Sequence, residues 1–393
     1  MSEKSEINHD ILKQELCSAE LVFVWNKKLF AAFGVNPLQF NSLLYLFWLF
    51  YSIMHFILSC AALPQNLHNL NNMIDAITEV GSMITILAKL ALYRINRKSL
   101  ADLLVEIEKD YSIDKYENEL EVRMFIDYVF KAKGFFQATI PLSIASAVMY
   151  FFRPFAMNGF DSANLTTFVL PYRMIFFYPI TKLSGYLGAL FYLIPVIPIT
   201  AFGLVTDANL MLAIVAHICG QLSVLSRSLL HFAKDGTSFQ QKLSKTVRQH
   251  QRLIRMAKTL DSVFNLLMLQ QVLSVTFVIC FVSYSMLINW SQRESALILT
   301  FLVCMVSLSF LLFAYCYAGQ CLIDESTFLG NALYTSTWYK LEPSNVKNYI
   351  IFMKRTQKPL VITGGRFYIY SLPSFLAVMK SAMAYLSVLR TLI

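Results

Sequence analysis

The chain has 393 residues, of which 56% are hydrophobic and only 15% charged, with 32 Phe and 20 Tyr against 13 Gly and a formal net charge of +9. That composition excludes an ordinary soluble domain and points to a polytopic membrane protein. The seven cysteines are odd in number and lie mostly within apolar runs, which excludes a disulfide framework.

Met1–Glu20 is polar and mixed in charge, so no secretory leader is expected and the first span directs insertion. Apolar runs of the roughly 20 residues that a helix needs to cross the hydrocarbon core fall at Leu43–Leu63, Met73–Leu92, Phe135–Phe152, Tyr186–Val205, Val263–Ile288, Ala296–Tyr317 and Leu372–Ile393. The fold expected is an all-α membrane protein with seven transmembrane helices. The first and sixth runs hold no Asp, Glu, Lys or Arg. The second carries Asp75, Glu79 and Lys89, and the fourth contains Pro195 and Pro198 and ends near Asp207. Asp75 and Glu79 lie four apart on one helix face with no obvious local cation, which leaves the outer interface or a wet vestibule as their place. Span four can continue from Leu204 to about His231, and Phe239–Leu260 keeps apolar residues near helical spacing before span five. Such helices project well beyond the membrane. Residues 206–262 and 318–358 read either as solvated basic loops or as a helical part that packs subunits together.

Lys and Arg accumulate on the cytoplasmic side of membrane proteins. The N-terminal segment has four, the 2–3 loop eight, the 4–5 loop eight and the 6–7 loop five, whereas the opposite side has Arg153, Arg173, Lys182, Arg293 and Arg390. The count places the N-terminus in the cytoplasm and the C-terminus, where the last apolar run reaches Ile393 without a polar tail, on the outer side. Both N-x-S/T acceptors then face outward; Asn164 is the expected glycan site, and Asn289 lies too close to the membrane. The orientation is the reverse of that of a G-protein-coupled receptor, and no Asn-Pro-x-x-Tyr stands in span seven. The six His form no metal-ligand spacing, and no phosphate loop or nucleophile elbow is present, so neither catalysis, a metal nor a cofactor is expected. A secondary transporter is the rival class, because Pro195 and Pro198 offer a broken helix at mid-membrane.

The final run begins cleanly. Gly364-Gly365 breaks the chain, Ser371 is a good N-cap, and Pro373 falls in the first turn. Along it Ser374, Ala377, Ser381, Ala384, Val388 and Thr391 recur at steps of three and four as one small or weakly polar stripe. That stripe is open to two readings, close helix packing or the wall of a pore.

Asp324–Leu341 (DESTFLGNALYTSTWYKL) and Ile350–Arg390 contain, in order, Tyr334, Trp338 and Tyr339, then Gln357-Lys358-Pro359, then Gly365-Arg366-Phe367, then Ser371-Leu372. This ordered string resembles the C-terminal signature of the insect odorant receptors. Ala384-Tyr385 followed by Leu386–Leu389 and Arg390-Thr391 departs from the Thr-Tyr and Gln-Phe ending of the sister gustatory receptors, a gustatory-type channel being the alternative, and also from the co-receptor. The resemblance implies an odorant-tuned subunit of a ligand-gated, non-selective cation channel in the plasma membrane of sensory neurons, assembled as a heterotetramer with a co-receptor. It implies a pore lined by residues 372–393, with Ser381 and Ala384 on its wall and Val388, Thr391 and Leu392 at an outer constriction. It also implies a pocket for small volatile organic molecules in the outer half of the membrane. At that depth stand Met73, Ile74 and Ile77, then Ser146, Ala147 and Tyr150, then Leu190, then Phe277, Phe281 and Tyr284. Lys380 sits in the same final run with no assigned role.

Overall fold

The computed structural model describes residues 2–66, 70–158, 170–176, 182–230, 239–290, 295–341 and 343–391, so Asn164 and Leu392 lie outside the described residues. Eleven helices follow one another in the described chain: α1 (Ser2–Ala32), α2 (Ser42–Asn66), α3 (Leu70–Ile95), α4 (Arg97–Glu108), α5 (Glu119–Asn158), α6 (Leu183–Leu193), α7 (Val196–Leu230), α8 (Phe239–Trp290), α9 (Ser295–Thr335), α10 (Pro343–Thr356) and α11 (Leu372–Thr391). Six stretches are long and apolar enough to cross a membrane, drawn from α2, α3, α5, α6 with α7, α8 and α9. The seventh run is α11, whose 20 residues make about 30 Å of helix.

Helix α7 is the hub. From Ala201 to Gly220 nearly every described residue is buried, because α5, α9, α8, α1 and α3 all pack on it. A helix that is apolar around its whole circumference needs such surroundings. The fourth expected span is not one helix. It divides at Ile194–Pro195 into α6 and α7, since Pro195 has no N–H to continue the ladder, while Pro198 falls in the first turn of α7, where no intrahelical partner is needed. The extensions are helical as expected: α8 runs unbroken for 52 residues and α9 for 41.

The charges that marred spans two and four meet each other. Lys89 Nζ donates to Asp207 Oδ1 at 2.7 Å, to Gln271 Oε1 at 3.2 Å and to the Gly203 carbonyl, and Tyr315 Oη donates to Asp207 Oδ2 at 2.6 Å. The Lys89 and Asp207 side chains are 2% and 0% exposed. All three ammonium protons and both carboxylate oxygens are engaged, which is what a membrane interior demands of a charge.

Before α11 the chain forms a short hairpin, β1 (Thr363–Gly364) antiparallel to β2 (Tyr368–Ile369), that an all-helical reading does not contain. Its turn carries Gly365 at φ +64° and Arg366 at φ +66°. One face of α8 holds it. Asp261 accepts from the Thr363 N–H and hydroxyl at 2.7 and 2.9 Å, Asn265 Nδ2 donates to the Thr363 carbonyl at 3.2 Å, and Tyr370 Oη donates to the Met268 carbonyl at 2.7 Å. Ser371 caps α11 as expected, its Oγ accepting from Ser374 N–H at 3.4 Å.

Lys89→Met leaves the Asp207 carboxyl buried without its cation, so the folded state loses about 3–5 kcal/mol, read as a lower midpoint of thermal unfolding of the purified protein. The pair Lys89→Met with Asp207→Leu recovers most of that loss, because no unpaired charge remains.

Candidate functional site

Two carboxylates on one face of α3 organise the end of the bundle where α2, α3 and α5 meet residues 170–176. Asp75 binds the Arg153 guanidinium of α5 through both oxygens, at 3.1 and 2.5 Å, and Arg153 lies over the Tyr150 ring at 5.1 Å. Glu79, one turn along, accepts from Ser59 Oγ of α2 at 3.0 Å and from the Arg173 backbone N–H at 2.8 Å. His55 Nε2 stands 3.4 Å from Glu79 Oε1 without hydrogen-bond geometry, and its Nδ1 has no hydrogen-bond partner among the described residues. The two acids therefore do not lack local partners, as the linear sequence had it: the Arg153 cation and the Arg173 amide come from elements far away along the chain. The signal available was chemical. An acid inside an apolar span calls for a donor, and Arg153 and Arg173 are among the few cations on that side.

Rings fill the space between. Tyr172 lies 5.4 Å from Tyr150 and edge-on to His55 at 5.7 Å, and His55 stacks on Tyr192 of α6 at 6.3 Å. Tyr51 Oη donates to the Tyr192 carbonyl at 2.9 Å, tying α2 to α6. Tyr150 and Cys304 of α9 are neighbours where α5 meets α9, and both are half-buried. One turn away, Ser146 Oγ and Ser307 Oγ meet at 2.6 Å across the α5–α9 seam.

Of the expected pocket residues, Ser146 and Tyr150 border this region half-buried, Ala147 is buried beside them, and Met73 and Leu190 are half-buried on α3 and α6. Ile77 is exposed, and Phe277 is turned outward at 62% exposure. The side chains of Ile74, Phe281 and Tyr284 lie outside the described residues. Sequence spacing did not point to Tyr172, His55, Cys304 or Ser307, because nothing in a linear pattern gives the register of α9 against α5.

Helix α11 has two distinct faces. Phe375, Val378 and Ala382 face the chain's own bundle, whereas Ala377, Ser381 and Ala384 of the stripe are exposed, with Lys380 on the same outward side. Packing within this chain therefore does not account for the small residues. The side chains of Val388 and Thr391 lie outside the described residues. The base of α11 is set by contact with α9: a Cβ at Gly319 would overlap the Tyr370 carbonyl oxygen, and Leu372 N–H donates to Gln320 Oε1 at 3.4 Å.

At the other end, a cleft of about 910 Å³ opens between residues 110–121, the end of α7 and the start of α8. Asp110 lies at its base, accepting from Lys115 Nζ at 2.8 Å, Arg252 Nη1 at 2.8 Å and His217 Nε2 at 3.1 Å. Burial alone would raise the Asp110 carboxyl; hydrogen bonds from His217, Arg252 and Lys115 outweigh it and hold the group well below the usual carboxylate range.

Fold and site together define a multi-pass helical membrane protein with a cluster of rings and hydroxyls where α2, α3, α5, α6 and α9 meet. A family profile described as "7tm Odorant receptor" matches residues 69–383. The chain is 26% identical to odorant receptor 49a of Drosophila melanogaster over 78% of either chain, and 22% identical to odorant receptor 85c of the same species over 81% of this chain and 83% of that one. Its fold is that of the olfactory receptor OR5 from Machilis hrabei in complex with eugenol, with a TM-score of 0.78 at 15% identity over 96% of this chain and 100% of that one. The chain belongs to the odorant receptor family.

Gly319→Ala drives a methyl into backbone rather than a movable side chain, and an overpacking cost of about 1–3 kcal/mol is expected, measured as a lower unfolding midpoint with the α11 base displaced. Asp110→Asn removes the anion that three donors share and costs about 2 kcal/mol at neutral pH. Because the folded pKa is depressed, that contribution is present above the ordinary carboxylate pKa and is lost only as pH falls through the lower folded value; an unfolding–pH series on wild type and variant should converge at strongly acid pH.

Proposed function

We propose that the chain is the odorant-tuned subunit of a ligand-gated, non-selective cation channel. It sits in the plasma membrane of sensory neurons with its N-terminus in the cytoplasm. Small volatile organic molecules bind between α5 and α9, beside Tyr150, Ser146 and Ser307, and α11 lines the pore. The observation that carries the reading is the outward face of α11: Ala377, Ser381 and Ala384 are turned away from the bundle that owns them. Small residues on an exposed membrane helix need either a neighbouring backbone or water. Four subunits around a common axis supply both. A co-receptor completes the ring, Val388 and Leu392 form an apolar constriction near the outer end that closes by dewetting, and residues 206–262 and 318–358 hold subunits together on the cytoplasmic side. That seam, with a few hydroxyls among rings, has the chemical make-up of a small-molecule pocket. The eugenol complex of the Machilis hrabei receptor supports a small organic occupant.

Binding opens the pore only to the extent that the odorant prefers the open arrangement. The test is expression with and without a co-receptor, with odorant-evoked current recorded while G-protein signalling is blocked. Current that needs the co-receptor, survives the block, and gains a standing component when Val388 and Leu392 are replaced by serine is the expected result. Current that vanishes with the block, or is indifferent to both substitutions, would overturn the channel reading. Uptake coupled to an ion gradient would favour a transporter.

A further inference from the structure

Two arginines share one ring where the first two spans leave the membrane. Phe40 stands just before α2, Arg94 lies in the last turn of α3, and Arg97 opens α4. The guanidinium carbons of Arg94 and Arg97 lie 4.8 and 4.9 Å from the Phe40 ring centroid. Arg97 Nε also donates to the Pro37 carbonyl at 3.1 Å. Neither guanidinium has a carboxylate partner among the described residues. Like charges gathered on one ring repel each other unless an anion stands with them. The ring attracts both cations, but stacking takes only the flat face of a guanidinium and leaves its N–H edge open to an acceptor. At the same point Asn96 spends its side chain on the Val263 carbonyl at 3.3 Å, so the first turn of α4 has no side-chain cap.

The level of this cluster favours one kind of anion. The stretches able to cross a membrane begin at Ser42 on α2 and end at Ile95 on α3, which puts Phe40, Arg94 and Arg97 at the edge of the hydrocarbon layer. Next to them in the chain the surface is apolar: Leu43 is 82% exposed and Ile95 75%. Tyr45 packs on Phe40 at 5.4 Å. Basic and aromatic residues together at a span end are the groups that the headgroup region favours. A lipid whose headgroup carries net negative charge supplies the missing acceptor and covers Leu43 and Ile95 with its chains. A soluble phosphate would answer the arginines and leave both apolar side chains in water.

We propose that Arg94, Arg97 and Phe40 form a binding site for an anionic glycerophospholipid. The headgroup takes the free edges of the two guanidiniums, and the acyl chains lie along Leu43 and Ile95. Phe40 is the positioning residue, because its ring holds both guanidiniums. Lys98, exposed one residue further on, adds charge at the rim. A bound lipid braces the elbow at which α3, the helix that carries Lys89, turns into α4. Binding does not depend on the odorant-channel reading; the orientation proposed above assigns the site to the inner leaflet, where anionic lipids attract basic segments.

The test is native mass spectrometry of the purified full chain in neutral detergent, titrated with phosphatidylserine or with phosphatidylcholine of the same acyl chains. The wild type should hold phosphatidylserine about tenfold more tightly than phosphatidylcholine. Arg94→Gln and Arg97→Gln should each weaken phosphatidylserine about fivefold, the size expected of one basic side chain at a lipid surface, and the double substitution about 25-fold. Phe40→Leu, which keeps both charges and removes the ring, should weaken it about threefold. Lys13→Gln, exposed on α1, should leave it unchanged. Unfolding midpoints of the arginine variants in phosphatidylcholine alone should match the wild type, which separates lost binding from lost folding. Soluble glycerophosphoserine in about hundredfold excess should not displace the lipid. Equal retention of the two lipids by the wild type, or phosphatidylserine binding unmoved by the double substitution, overturns the site. Displacement by glycerophosphoserine as readily as by phosphatidylserine overturns the lipid as its occupant and assigns the arginines to a soluble anion.

Discussion

A lysine and an aspartate buried together in the middle of the bundle constrain everything around them. Lys89 comes from α3 and Asp207 from α7, and neither could remain charged in an apolar interior without the other. Gln271 of α8 and Tyr315 of α9 complete the set, so four helices must arrive at one point in one register for a single pair of charges to be satisfied. Sliding any of the four by a residue would leave a charge or a proton without a partner, a penalty larger than most packing gains. Apolar contacts make the bundle adhere; this polar junction decides which of many similar packings it adopts. The influence extends further, because Tyr315 packs edge-on against Tyr370 at 6.0 Å, and Tyr370 is the last residue but one before α11.

The other polar features repeat the pattern at the two ends. At one, Asp75 and Glu79 gather α2, α3, α5 and the 170–176 segment; at the other, Asp110 gathers α4, α7 and α8 around its carboxylate. Glu79 and Asp110 are buried and Asp75 is half-buried, and each takes at least one donor from an element distant in sequence. Between these fixed points the groups beside Tyr150 are joined by rings and hydroxyls rather than by ion pairs, as where Ser146 meets Ser307 and Tyr150 meets Tyr172.

Spans were legible because the length of an apolar run is a local property. Leu43–Leu63 and Ala296–Tyr317 became α2 and the first part of α9 almost without adjustment. The division at Pro195 was visible as a proline but not as a helix end, since prolines are tolerated in membrane helices when neighbours compensate. The hairpin at Thr363–Ile369 escaped because two-residue strands carry no alternation; only Gly364-Gly365 marked the place. Charges were the least legible. Lys89 and Asp207 looked like blemishes on two separate spans, and Asp75 and Glu79 looked unpartnered, because pairing across about a hundred residues depends on helix rotation that composition does not encode. The same gap explains the site. Ser146 and Tyr150 followed from depth along α5, whereas Ser307 and Tyr172 needed the packed structure, and Phe277, picked by depth alone, faces outward.

The contact of Gly319 with the Tyr370 carbonyl makes α11 a lever with a hard pivot. No side chain stands between the two backbones to absorb strain, so rotation of α9 at Gly319 passes to the base of α11 undamped. Over about 30 Å of helix, a tilt of about 2° at the base carries the far end through about 1 Å. A displacement of that size is too small to repack a core, so the far end of α11 can shift while the bundle that carries it stays as it is.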